Sequence, residues 1–565
     1  MRTFSKTAFI FVLILFCPTN LLADSKDPIR GKNGMVVSAS NLATQVGIEI
    51  LKKGGNAIDA AVAVGFALAV TYPAAGNLGG GGFMVIHLQD GTNTTIDYRE
   101  KAPQSVNEFI FQDSSGNFLP DKSQEGVTSS GVPGSVAGLI YALEKYGTLS
   151  LKEVIQPAID LAMGGFELEY QVAKSFEYEL DYFNKYPSSK KIFSKGSSAY
   201  NEGDWFVQYD LAKTLQLIKE KGIDGFYKGE TAELIVKQIN SDVGYITLDD
   251  LAKYTPIERI PITTDYRGYK IVTMGPPSGG GVTLLQMLNI LENYSLKKEE
   301  WGSSQYIHKL VMAMKYSFAD RSKYIGDPDF YKVPIDWLLS KKYTKEIFNE
   351  IDSIATSSSD ILPGNNVGFI ESEETTHYSV IDKFGNAVST TTTLNSSYGS
   401  GIVVDGAGFL FNNEMDDFSS KPGVPNQFGL IGSEANKIEP GKRMLSSMSP
   451  TIVLKDNRPF LIVGSPGGST ISTVVLQVIM NVLDFDMNIQ QAIDMSRIHH
   501  QWLPDIINYE NFGLSLDVIK SLQNMGHIIG DIRILGRTEG IMFDSDNQIF
   551  YGATDPRGYG AAVGY

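Results

Sequence analysis

A layered α+β fold is what this sequence predicts, and three of its features lead there. Residues 57–70 are apolar on every side except at Asp59, the mark of a helix with no solvent face. Asp90-Gly91, Phe384-Gly385-Asn386 and Asp456-Asn457-Arg458-Pro459 each lie between two short apolar runs, as hairpin turns do. Helical periodicity recurs on both sides of those hairpins, so the strands would carry helices packed over them.

The elements follow in chain order. Arg2 and Lys6 precede an apolar run from Ala8 to Phe16, and Asn20-Leu21-Leu22-Ala23 ends on a small residue before a polar stretch. This is the pattern of a secretory signal peptide over 1–23, and the run is well short of the ~20 residues that a membrane span needs. Residues 40–70 read as two helical stretches, capped at Asn41 and separated by Gly54-Gly55-Asn56. A strand over 83–88 turns into a second over 94–98. From about residue 134 to 350 the pattern is mainly helical, clearest at 151–163, 208–221, 229–240 and 302–319. Residues 352–366, rich in Ser, Asp, Pro, Gly and Asn, read as an exposed, flexible linker. Beyond it come hairpins pairing 376–382 with 387–394 and 451–454 with 460–463. A short strand is expected at 408–411, and helices at 471–483 and 489–495.

Composition removes several classes of function. The formal net charge is −16, whereas a nucleic-acid partner calls for a surplus of Lys and Arg. Cys17 is the single cysteine and falls in the signal peptide. Disulfides, cysteine catalysis and thiolate metal sites are therefore not expected in the mature chain. No later stretch is long and apolar enough to span a membrane, so an exported, periplasmic or secreted protein is the expectation.

Familiar catalytic motifs are missing too. There is no G-x-S-x-G elbow. The glycine runs at 79–82 and 279–281 lack the lysine and the strand context of phosphate loops, and read as places where a side chain would clash. None of the six histidines forms H-E-x-x-H; each reads as an ordinary packed or surface imidazole, and neither a metal nor a cofactor is expected. Small hydroxyl residues crowd the last third instead, at 375–379, 389–393, 396–397, 446–447 and 465–469. Composition alone reads them as strand threonines and turn serines.

Thr375-Thr376-His377-Tyr378-Ser379-Val380-Ile381-Asp382 resembles the start of the small subunit of the γ-glutamyltranspeptidases, members of the N-terminal nucleophile hydrolase superfamily. The likeness extends over nearly the whole mature chain. It includes Gly55-Asn56-Ala57-Ile58-Asp59, the block 77–84, Tyr98-Arg99-Glu100 and Gly131-Val132-Pro133-Gly134-Ser135. Downstream it takes in Asn412-Asn413-Glu414-Met415-Asp416-Asp417, Leu445-Ser446-Ser447-Met448, Gly464-Ser465-Pro466-Gly467-Gly468 and Arg497-Ile498-His499-His500-Gln501-Trp502. Many long matches in one order are far more specific than any one of them.

The resemblance implies a four-layer αββα sandwich built jointly by two chains cut from one precursor between Glu374 and Thr375. These would be a large subunit, 24–374, and a small one, 375–565. It implies Thr375 as nucleophile, Thr393 as the hydroxyl that orients it, and Gly467 and Gly468 as the oxyanion hole. Arg99, Ser446 and Ser447 would hold the donor's α-carboxylate, and Asn395, Glu414 and Asp417 its α-ammonium group. Donors would be glutathione and other γ-glutamyl compounds, and acceptors water, amino acids or dipeptides. The chemistry agrees with the residues. A threonine hydroxyl needs a base, and cutting before Thr375 creates an α-amine with a pKa of about 7.7–8.0 on the same residue.

Three positions depart from the family pattern. Phe428 stands where several relatives have a tyrosine over the pocket, Met444 where a proline is usual, and Thr470 where an arginine often follows Gly-Gly-Ser. Two relatives on the same scaffold remain open as alternatives. An acylase for glutaryl amides would leave Asn395, Glu414 and Asp417 without an ammonium group to bind. A poly-γ-glutamate depolymerase would use them. An inactive scaffold is the third, and would not cleave before Thr375.

Overall fold

The computed structural model describes residues 25–361, 375–421 and 423–565. The expected signal peptide, Glu374 and the last five residues of the expected linker, 362–366, lie outside the described residues. Two seven-stranded sheets stack face to face, and every strand pair within them is antiparallel. One sheet runs in the order Ala561–Gly564, Gly34–Ser38, Thr376–Asp382, Ala387–Thr393, Gly81–His87, Asn93–Asp97, Ile257–Arg259. The other runs Ile29–Gly31, Ile549–Thr554, Glu539–Asp544, Arg458–Gly464, Thr451–Lys455, Tyr269–Thr273, Ile262–Tyr266. Each sheet draws strands from both sides of Thr375, so neither half of the chain could complete a sheet alone.

Strand periodicity sorts the cores. Val36, Met84, Ile86, Tyr378 and Val380 face outward into one apolar cluster, with the helices Asn41–Lys52, Ala57–Thr71 and Leu151–Gly164. Their neighbours Met35, Val37, Phe83, Val85 and Ile381 belong to a second cluster with the other sheet and the helices Gly279–Leu291, Ser304–Tyr324 and Ile471–Leu483. Alternate residues of one strand point to opposite faces, and the outcome is the expected αββα sandwich. Asp59, the one charge in the all-apolar helix, is satisfied by Thr148 and by backbone N–H groups of Asn56, Thr148 and Leu149. Several of the crowded hydroxyls stitch the sheets together: Ser389 Oγ donates to Val463 O at 3.2 Å and accepts from Thr451 N at 3.0 Å, and Ser379 Oγ donates to Glu539 O.

Four expectations need correction. The first helix is capped by Ser40, whose side chain accepts from Ala43 N, and Asn41 is already helical. The region 134–350 is mainly helical as expected, but it also holds strands the sequence reading missed, among them Ile257–Arg259, Ile262–Tyr266 and Tyr269–Thr273. Arg267 and Gly268 both have positive φ and make the tight turn that the helical pattern around them concealed. Residues 408–411 join no sheet and form only isolated bridges, Val403 with Leu410 and Gly79 with Phe411. Finally, the described part of the expected linker is docked. Trp502 Nε1 donates to Ser358 O at 2.9 Å, Lys315 Nζ to Thr356 O at 2.6 Å, and Ala355 N to Met525 O at 2.7 Å. Ile361 packs with Trp502 in a small apolar cluster.

Candidate active site

Thr375 opens the central strand Thr376–Asp382. That strand pairs Thr376 with Thr392 on Ala387–Thr393, so continuing the register by one residue places Thr375 opposite Thr393. Their hydroxyls are accordingly 3.5 Å apart, both nearly buried. Thr393 is held from two sides. Its Oγ1 accepts from Asn395 N at 2.7 Å, and its carbonyl accepts from Asn77 Nδ2 at 2.9 Å. Asn77 Oδ1 in turn accepts from Gly80 N and Ser135 Oγ. Asn395 has φ +81, a left-handed conformation that asparagine tolerates better than most residues. A Cβ on Gly80 would stand 2.1 Å from Thr393 O. The first glycine run is therefore the close backbone approach expected of it.

A narrow cleft opens beside Thr375. Of the residues assigned from the sequence, Arg99, Thr375, Thr393, Asn395, Asp417, Ser446, Ser447 and Gly468 line it. Glu414 and Gly467 do not. Glu414 lies behind Arg99, fully buried, with Oε2 2.6 Å from Arg99 Nη1. Gly467 precedes Gly468 in the turn into Ile471–Leu483. Their φ values of +130 and +52 suit glycine alone or nearly so. Thr470 holds this turn, since its N–H and Oγ1 both donate to Gly467 O, at 2.9 and 2.7 Å. The family departure at Thr470 thus keeps a local job.

Arg99 is the most enclosed cation of the site. Its guanidinium meets Glu414, Glu100 and Asp417, and also donates to the carbonyls of Met444 and Leu445. Burial pushes the carboxyls of Glu100, Glu414 and Asp417 upward against the pull of Arg99, Glu100 to about 8. The cluster therefore retains protons at neutral pH that isolated carboxylates would shed. Met444 packs in an apolar cluster with Ala102, Phe111 and Met415, so the missing proline is replaced by core contact.

Phe428 covers Gly468, with its Cδ1 2.8 Å from where a Cβ on that glycine would stand. The loop bearing it is secured without a tyrosine hydroxyl. Gln427 N donates to Asp416 Oδ2, Ser396 Oγ donates to Gln427 Oε1, and Gln501 Nε2 donates to Phe428 O. Sequence reasoning gave no roles to Asn77, Gln427, Gln501 or Arg321, all polar and all close to this cleft. None stands in a recognisable spacing with Thr375, so no local pattern could have singled them out. The six histidines are all buried, and burial lowers His377 and His499 to about 3. None lines the cleft. Among the described residues, no group of three or more metal-binding side chains occurs.

Comparison with known proteins places the chain in a family. Residues 43–565 match the family model for Gamma-glutamyltranspeptidase. A glutathione hydrolase proenzyme of Escherichia coli strain K12 is 50% identical over 532 residues, covering 94% of this chain and 91% of that one. Among solved structures, a cephalosporin acylase from Bacillus halodurans superposes with a TM-score of 0.86 at 29% identity, over 98% of this chain and 99% of the other. A γ-glutamyltranspeptidase from Helicobacter pylori is 50% identical, covering 58% of this chain and 94% of that chain, with a TM-score of 0.57. With the family model matched over nearly the whole chain and a relative 50% identical over most of its length, the chain belongs to the γ-glutamyltranspeptidase family.

Proposed function

We infer that this chain is the precursor of a γ-glutamyltransferase and glutathione hydrolase in which Thr375 is both the processing and the catalytic nucleophile. The observation that carries the reading is the Thr375–Thr393 hydroxyl pair at the mouth of a cleft that also presents Arg99, Asn395, Asp417, Ser446, Ser447 and Gly468. In processing, Thr375 Oγ1 attacks the Glu374 carbonyl carbon, the peptide C–N bond breaks, and the hydroxyl proton passes to the departing amine. Water then opens the resulting ester. The products are residues 24–374 and 375–565, which stay together because both sheets draw strands from each.

In turnover the freed α-amine of Thr375 accepts the hydroxyl proton as Oγ1 attacks the donor's γ-carbonyl. The oxyanion forms against the N–H groups of Gly467 and Gly468, each worth ~3–4 kcal/mol in comparable sites. Collapse expels the amine, which takes the proton back. Water or the amino group of an amino acid or dipeptide then attacks the ester, giving hydrolysis or transfer. Thr393 Oγ1 already accepts a hydrogen bond from Asn395 N, which orients it towards Thr375. Asp417 and Asn395 offer a negative charge and an acceptor for the donor's ammonium group. A glutaryl donor, without that group, would make no use of the acceptors at Asp417 and Asn395.

The N-terminal leader pattern supports export. Among the described residues, no helix is long and apolar enough to cross a membrane. The test of the activity is glutamate release from glutathione, run beside a glutaryl amide of the same leaving group and with a dipeptide acceptor added. Turnover of the γ-glutamyl donor, faster with the dipeptide, is expected. Preference for the glutaryl amide would overturn the reading.

A further inference from the structure

Arg321 is a guanidinium in search of an anion. It lies on the helix Ser304–Tyr324, is 4% exposed and lines the cleft. Among the described residues it makes a single hydrogen bond, from Nη2 to Ser447 Oγ at 3.1 Å. It makes no ion pair with them, and its Nε is buried without an acceptor. Burial lowers it to about 10, with Asp417 as its nearest electrostatic support. A buried cation left this way costs stability unless something supplies the counter-charge.

The fold makes room for it deliberately in the geometric sense. A Cβ on Gly279 would stand 3.1 Å from Arg321 Nε, and one on Gly280 1.9 Å from Ser447 O. Gly279 N and Gly280 N both donate to Ser446 O, at 2.7 and 3.2 Å. The second glycine run thus seats the Ser446–Ser447 loop and Arg321 together at one wall of the cleft. Arg99, by contrast, has its donors taken by Glu414, Glu100, Asp417 and two carbonyls. Of the two guanidinium groups that line the cleft, Arg321 has the unspent charge.

We propose that Arg321 is a positioning and specificity-determining residue for the donor's α-carboxylate, acting through Ser447. Because Ser447 Oγ accepts from Arg321, its own proton is left to donate into the cleft. The guanidinium behind it supplies the charge that favours a carboxylate there. This rests on the γ-glutamyl reading above and assigns to that same site a cation which the family motifs do not single out.

The experiment compares two anilides, γ-glutamyl and 4-aminobutanoyl, which differ only in the α-carboxylate. They are given to the wild-type enzyme, Arg321→Gln and Arg321→Lys, each checked by intact mass for processing. In Arg321→Gln the γ-glutamyl kcat/KM should fall on the order of 10- to 100-fold, mainly through KM, as expected for a lost charge-assisted hydrogen bond. The 4-aminobutanoyl value should change by less than about 3-fold, so that the selectivity collapses, and Arg321→Lys should recover part of it. An equal loss on both donors, or unchanged selectivity, would overturn the proposal. If Arg321→Gln is not processed, Arg321→Lys decides: reduced selectivity supports the role and unchanged selectivity removes it. A wild-type enzyme inactive on the γ-glutamyl anilide sinks the parent reading. An active one whose selectivity survives in Arg321→Gln sinks only this inference.

Discussion

Arg99 Nη1 and Glu414 Oε2 stand 2.6 Å apart with both side chains withdrawn from solvent. The guanidinium expected to hold the donor's α-carboxylate is therefore charge-compensated by the protein's own carboxylates, and the two residues act as a unit. Arg99→Gln should destabilise the protein by roughly 3–5 kcal/mol, because it strands buried carboxylates. Arg99→Gln with Glu414→Gln should regain much of that stability while donor turnover stays impaired. Denaturant unfolding of both single variants and the double variant checks the coupling; strict additivity would contradict it.

Thr393 offers a probe of catalysis, because its hydroxyl lies 3.5 Å from that of Thr375 and accepts from Asn395 N. Thr393→Val should lower kcat on the order of 10-fold or more with little change in KM, in proportion to one lost hydrogen bond near the nucleophile. Thr393→Ser should retain most of the activity. Steady-state kinetics on a γ-glutamyl anilide would show the split.

Gly468 and Phe428 make a steric prediction. A methyl group on Gly468 would meet the Phe428 ring at 2.8 Å and require φ +52 of a non-glycine residue. Gly468→Ala should reduce turnover by about 10²-fold, the scale of one lost oxyanion donor. Adding Phe428→Leu should restore part of it by relieving the contact. No recovery would place the cost in the backbone alone.

His377 carries a pH signature. Its ring is fully buried between Thr391 Oγ1 and Ser379 Oγ, and burial lowers it to about 3 from an ordinary value near 6.5. The unfolded chain therefore binds a proton that the folded chain refuses. Its contribution to stability is complete above about pH 6.5 and is lost as pH falls from there towards 3. His377→Gln should flatten the acid side of the stability curve, measured as Tm against pH between pH 7 and 4. An unchanged slope would mean that other groups set it.

Much of the fold was legible because its strands and helices carry undiluted periodicity. The hairpin around Gly385 and the helices starting at Leu151 and Ile471 fall within a residue or two of expectation. What escaped was decided by tertiary context. Ile262–Tyr266 and Tyr269–Thr273 alternate weakly and border a glycine-rich helix start, so the surrounding helical pattern masked them. The segment around Ser358 looked unable to pack, yet Trp502, Asp505 and Met525, all more than 140 positions away, dock it. In the site, the motif residues gather at one cleft, but Glu414 stands behind Arg99. Arg321 has no neighbouring motif at all, and its importance lies in what it lacks.

The account turns on Thr375, and the intact mass of the purified protein tests it most directly. The wild type should give two chains, one matching residues 375–565, whereas Thr375→Ala should give a single uncut chain without γ-glutamyl turnover. A wild-type chain that remains whole, or a Thr375→Ala variant that still divides at that bond, would contradict it.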